Sequence, residues 1–132
     1  MKDSSPTIAH PYKYCDNLTG YKRRKTVEVD IGGVKLGSNH PIRVQSMTTV
    51  DTMDTQGSID QTIRLVDAGC EYVRITAPSI KDAKNLENIR KGLRERGYEV
   101  PLIADIHFTP NAAEEAARIV EKVRGKPRQL RR

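Results

Sequence analysis

The chain has 132 residues, 36% hydrophobic and 30% charged, with 23 Lys and Arg against 17 Asp and Glu. No apolar run is long enough to cross a bilayer, the polar N-terminus carries no signal-like core, and two cysteines are too few for a disulfide framework or a thiolate cluster. The basic excess belongs to the tail, since residues 122–132 hold six cations and no acid, which leaves 17 charges of each sign in residues 1–121. With no aromatic platform and no nucleic-acid fold, this argues against a nucleic-acid partner.

In chain order, residues 1–13 read as a disordered lead. Val27, Val29 and Ile31 then alternate, Gly32-Gly33 turns the chain, and Val34 and Leu36 alternate again, which predicts a β-hairpin. A strand is expected over Pro41 to Ser46. Ser58 is the expected cap of a helix with apolar stripe Ile59, Ile63, Leu65 and Val66, ending at Ala68-Gly69. The next strand is expected over Glu71 to Thr76. Ser79 then caps a helix carrying Ala83, Leu86, Ile89 and Leu93, closed by Gly97. Val100 to Phe108 contains a short, wholly apolar run, the pattern of a strand buried on both faces, here Pro101 to His107. An alanine-rich helix is expected from Asn111 to about Val120, and a last strand begins at Lys122-Val123-Arg124.

The strands over Pro41 to Ser46, Glu71 to Thr76 and Pro101 to His107 recur about thirty residues apart, each followed by a helix, which is the period of a βα unit. The fold class is therefore α/β, the N-terminal half of a (β/α)8 TIM barrel preceded by a β-hairpin suited to cover the barrel's floor. Residues 14–124 form the partial barrel domain. A whole barrel needs about 250 residues, so this length supplies less than half of one and leaves sheet edges open.

Each strand turns polar toward its C-terminal end, giving Gln45 and Ser46, then Arg74 and Thr76, then Asp105 and His107, then Arg124. That end of a β/α barrel carries the chemistry, so these groups are expected at one mouth. Alternation sends Asp105 and His107 to the same side, two proton-handling groups together. Bland readings stand beside each. The arginines could be ion-pair partners of a neighbouring carboxylate, Asp105 could cap a loop, and Gln45 and Ser46 could bond loop backbone. Gly32-Gly33 lacks a following helix, so it reads as a turn and not as a phosphate cradle. Cys70, between a helix end and a strand start, reads as a small buried thiol.

Four pieces in order carry a family resemblance: Arg23 to Val29, Pro41 to Thr48, Asp67-Ala68-Gly69 with Tyr72-Val73-Arg74, and Pro101 to Phe108. Over roughly residues 14 to 124 the chain resembles the 4-hydroxy-3-methylbut-2-enyl diphosphate synthases, iron-sulfur enzymes of the methylerythritol phosphate route to isoprenoids. The Tyr14-Cys15 lead and the double arginine are most similar to the larger form, which has an extra domain. The pterin-binding synthases share the architecture, but Gln45-Ser46-Met47-Thr48 with Ala104 to Phe108 argues against them.

The resemblance implies an oxidoreductase that opens a cyclic diphosphate by two-electron reduction to a linear allylic diphosphate. It assigns Arg74 and Arg124 to the diphosphate and Asp105 and His107 to catalysis by supplying a proton or orienting a hydroxyl, while the place of Gln45 and Ser46 at a strand end puts them among the expected substrate contacts. It also implies a [4Fe-4S] cluster held by three cysteines and a glutamate in a C-terminal domain, ligands that Cys15 and Cys70 do not supply. Flavodoxin or ferredoxin as electron donor, a homodimer at full length and a cytoplasmic setting complete the expectation, with no nucleic acid and no membrane. The chain alone is then an inactive fragment of the enzyme. The alternative is a non-catalytic phosphate-binding half-barrel.

After Arg124 the family continues with a hydrophobic residue and Asn-Pro-Gly-Asn, whereas this chain reads Gly125 to Arg132. The genetic code allows Arg124 to Arg132 to be written CGG GGT AAA CCC CGG CAA CTA CGT CGA, and loss of one G from the first run of four in that spelling gives Arg-Val-Asn-Pro-Gly-Asn-Tyr-Val. Residues 125–132 are therefore expected to be a frameshifted, non-native basic tail. Resequencing the locus tests this.

Overall fold

The structure is a computed structural model that describes residues 18–20, 25–107 and 109–126. The expectations for the lead, for Tyr14-Cys15 and Arg23-Arg24, for Phe108 and for residues 127–132 of the tail lie outside the described residues.

The hairpin forms as its alternation demands. Strands β1 (Val29–Ile31) and β2 (Val34–Leu36) pair antiparallel with Val29 opposite Leu36 and Ile31 opposite Val34. Gly32 and Gly33 take φ of +59° and +88° in the two-residue turn, a conformation that favours glycine at both positions. The Asp30 carboxylate accepts the Gly33 N–H at 2.7 Å and pins the turn.

The remaining elements alternate strictly: β3 (Gln45–Met47), α1 (Thr55–Asp67), β4 (Tyr72–Ala77), α2 (Ile80–Glu95), β5 (Leu102–Ile106), α3 (Pro110–Ala117) and β6 (Lys122–Arg124). The four strands lie in sequence order, β3-β4-β5-β6, and every neighbouring pair is parallel. Sequential order without reversal is the arc of a β/α barrel, whereas a doubly wound sheet would reverse. One face of the arc packs on the helices. Val73, Ile75, Ala77, Leu102, Ala104 and Ile106 meet Ile59, Ala83, Leu86, Ile89, Leu93, Ala112 and Ala116 in the main core. Cys70 is partly buried against this core.

The opposite face meets the hairpin. Tyr72 and Ile103 pack on Ile31, and the Tyr72 hydroxyl donates to the Val34 carbonyl at 2.6 Å, while burial pushes its phenol pKa up. Tyr72 is the first residue of β4, so the hairpin covers the floor of the arc, as its place in the sequence suggests.

Local boundaries differ from expectation for identifiable reasons. Helix α1 begins three residues before Ser58, because the Asp54 carboxylate caps it by accepting the Gly57 N–H at 3.0 Å. Ser58 lies buried inside the helix and its hydroxyl donates to the Asp51 carbonyl. Asp54→Ala should lower the unfolding free energy by about 1 kcal/mol, measured in urea, and Ser58→Asp should not mimic a cap. Ser79 does cap α2, accepting the Asp82 N–H and donating to its carboxylate, and Gly69 and Gly97 follow α1 and α2 at positive φ. Helix α3 starts at Pro110, a residue that tolerates the first turn because it has no N–H to satisfy, and ends at Ala117, short of Val120. The Ile119 and Val120 amides both turn back to the Ala116 carbonyl, which aims the chain into β6.

Strand β3 starts at Gln45, where a strand had been expected from Pro41. Glu71 organises its entry: the carboxylate accepts the Val44 N–H at 3.1 Å and pairs with Arg43 at 2.8 Å. The Val44 N–H, and after it the Arg43 side chain, hold the Glu71 carboxyl below the usual carboxylate range. A depressed folded-state pKa contributes stability that is present above the unfolded value and lost as pH falls through the folded one. Glu71→Gln should therefore be less stable than wild type near neutrality, and the gap should close on acidification. Paired urea melts along a pH series measure it.

Candidate functional site

The parallel register builds the mouth of the arc level by level. Met47, Arg74, Ile103 and Lys122 stand side by side, and one step further toward the strand ends come Thr76, Asp105 and Arg124. In parallel pairing these neighbours share a face, the one opposite the helices. His107 follows β5 directly and shares the phase of Asp105.

Asp105 is the hub. Its side chain is only 4% exposed and accepts from Arg124 Nη1 at 2.9 Å, with Arg74 Nε at 3.5 Å and His107 Nε2 at 3.4 Å from its other oxygen. A carboxylate this buried is stabilised by its paired cations, and in turn it aligns them. The Asp105–His107 pairing expected from alternation is present, and both arginines join it.

The arginines themselves are far from saturated. A guanidinium offers five N–H donors. Among the described residues Arg74 makes one hydrogen bond, from Nη2 to the Met47 sulfur at 3.3 Å, and its Nε is buried with no hydrogen-bond partner there, the Asp105 contact being an ion pair beyond good N–H geometry. Arg124 likewise makes one among them, to Asp105, and its side chain is 51% exposed. The bland reading is thus met in part, since both arginines do neutralise a carboxylate. One carboxylate against two guanidinium groups still leaves a net positive mouth with most of its donors unused, an arrangement suited to an anion with several oxygens.

Gln45 and Ser46 are not brought to this cluster. With β3 beginning at Gln45, these residues occupy its start, Gln45 beside Tyr72 at the floor level and Ser46 beside Val73, in the phase of the helix-packed face. The residues that β3 does deliver are Met47 and, after it, Thr48, whose N–H donates to the Arg74 carbonyl at 3.0 Å. Met47 went unremarked as a site residue because a thioether carries no chemical signature in a sequence; only the phase of β3 could have selected it.

Against known proteins, residues 26–132 match the model of the GcpE TIM-barrel domain. The chain belongs to the GcpE TIM-barrel family. Similar proteins include the 4-hydroxy-3-methylbut-2-en-1-yl diphosphate synthase (flavodoxin) of Porphyromonas gingivalis, 57% identical over 111 residues, 84% of this chain and 19% of the relative. The protein of the same name from Leptospira interrogans is 54% identical over 116 residues, 88% of this chain and 18% of the relative, and that from Protochlamydia amoebophila is 52% identical over 115 residues, 87% and 18%. This GcpE chain spans about 19% of the length of the first of these relatives.

For an iron-sulfur cluster the fit is poor within this part of a GcpE protein. Among the described residues no group of three or more His, Cys, Asp or Glu could hold a metal ion, and the whole sequence has two cysteines. Among the described residues, too, no helix is long and apolar enough to cross a membrane.

Proposed function

We infer that this chain is a substrate-binding part of a 4-hydroxy-3-methylbut-2-enyl diphosphate synthase, holding a cyclic diphosphate at the mouth of its barrel. The observation that carries the reading is the pair of under-used guanidinium groups, Arg74 and Arg124, gathered by one buried carboxylate at the C-terminal ends of parallel strands in a GcpE barrel. Arg74 and Arg124 bind diphosphate oxygens. Asp105 acts as a positioning residue, since its oxygens already face three partners. His107, beside Asp105 and 30% exposed on its side chain, is the better placed of the two to hold or deliver a proton at the substrate. Isothermal calorimetry with the cyclic diphosphate tests the reading: binding should weaken with salt, because part of the contact is made by the half-exposed Arg124. Heat that is absent at low salt would refute it.

In the whole enzyme a [4Fe-4S] cluster supplies the electrons, and flavodoxin, named in the relatives, or ferredoxin delivers them; a homodimer in the cytoplasm is the form we propose. The residues of this chain do not build the cluster's site. Incubation of the 132-residue chain with iron and sulfide should accordingly give no brown cluster absorbance, and dithionite should drive no ring opening. Cluster absorbance from this chain alone would contradict the assignment.

A further inference from the structure

We propose that an open cleft of about 510 Å³ next to Arg74 is a hydroxyl-recognising subsite, with Thr76 as its specificity-determining residue. The proposal rests on the diphosphate reading and extends it from the phosphates to the organic body of the ligand.

Three observations define the cleft. It is contiguous with the arginine cluster, because Met47 both lines it and accepts from Arg74 Nη2, and Thr76 both lines it and stands beside Asp105 in the sheet. Its lining contains two hydroxyls, those of Thr48 and Thr76, that make no hydrogen bond among the described residues. They are not stranded, since neither is a buried unsatisfied group, so each is open to water or to a ligand in the cleft. A hydroxyl both donates and accepts, which suits it to an alcohol better than to a phosphate.

The loop that lines the cleft is pinned by side chains. The Gln61 amide oxygen accepts the Thr49 and Val50 N–H groups at 2.9 and 3.1 Å, and its nitrogen donates to the Thr49 hydroxyl. Asn85, buried on α2, donates to the Thr52 carbonyl at 2.7 Å, and the Thr52 hydroxyl donates to the Thr76 carbonyl at 2.5 Å. Three side chains thus hold the loop from Thr48 to Asp54 in one shape before any ligand arrives, so little ordering entropy is lost on binding. A diphosphate anchored on Arg74 places the first atoms of its ester next to Met47, and a hydroxyl further along that body reaches Thr76.

Two ligands that differ by a single hydroxyl test the subsite: 4-hydroxy-3-methylbut-2-enyl diphosphate and 3-methylbut-2-enyl diphosphate, titrated by calorimetry into the full chain. The hydroxylated ligand should bind about fivefold more tightly, the gain of one hydrogen bond. Thr76→Val, which keeps shape and strand propensity, should erase that preference while leaving the affinity for 3-methylbut-2-enyl diphosphate within about twofold. Circular dichroism checks that the variant is folded, and Thr48→Val provides a second variant with the same expectation of a reduced preference. Equal affinity for the two ligands in wild type, or a preference that survives in Thr76→Val, would overturn the subsite alone. Failure of both ligands to bind wild type would overturn the arginine reading and the subsite with it.

Discussion

Asp105→Asn should lower the unfolding free energy by about 3 kcal/mol, near the low end for breaking a buried ion pair. The amide has the shape of the carboxylate but no charge, so Arg124 at 2.9 Å and Arg74 at 3.5 Å lose their shared counter-ion. Arg124 is half exposed and recovers hydration, which keeps the loss from being larger; Arg74 is 27% exposed and recovers less. Urea denaturation of the single variants and of Asp105→Asn with Arg124→Gln separates the pair from its surroundings, since groups in contact should give a coupling of about 1 kcal/mol or more. If the two arginines did not depend on Asp105 as their counter-ion, the isosteric change would leave stability within about 0.5 kcal/mol of wild type. That outcome would end its assignment as the hub of the site.

Arg74→Lys should weaken diphosphate binding by about tenfold although the charge is conserved. An ammonium offers a point charge, whereas the planar fork binds two oxygens at once, and the difference between bidentate and single contact is of this order. Lysine also cannot keep both present contacts, the Met47 sulfur through Nη2 and the Asp105 carboxylate through Nε, because these lie on different nitrogens of one rigid group. Equal affinity of wild type and Arg74→Lys would remove Arg74 from the binding role.

How far the sequence reaches can be judged residue by residue. Hydrophobic periodicity and punctuation sufficed for the βα order, the hairpin turn at Gly32-Gly33, the Ser79 cap and the Arg124 strand, because each depends on neighbours within a few residues. Alternation likewise sufficed for Asp105 with His107. The family was legible as well, from motifs that lie in unbroken order. What lay beyond reach was everything set by strand register. A strand assumed to start at Pro41 puts Gln45 and Ser46 at the mouth, whereas one that starts at Gln45 puts Met47 and Thr48 there, and no local signal distinguishes the two. Just before that start, the Val44 N–H goes to the carboxylate of Glu71, 26 residues beyond Gln45, and the Val44 carbonyl accepts the Glu71 and Tyr72 N–H groups. The Asp54 cap was hidden by the polar first turn that follows it. Composition and periodicity therefore determined that this chain is an arc of a β/α barrel with cationic and acidic groups at its strand ends. Tertiary structure decided which of them meet: pairing across β4, β5 and β6 gathers Arg74 and Arg124, 31 and 19 residues away, on the buried Asp105 carboxylate beside His107, contacts that only the folded sheet brings within reach.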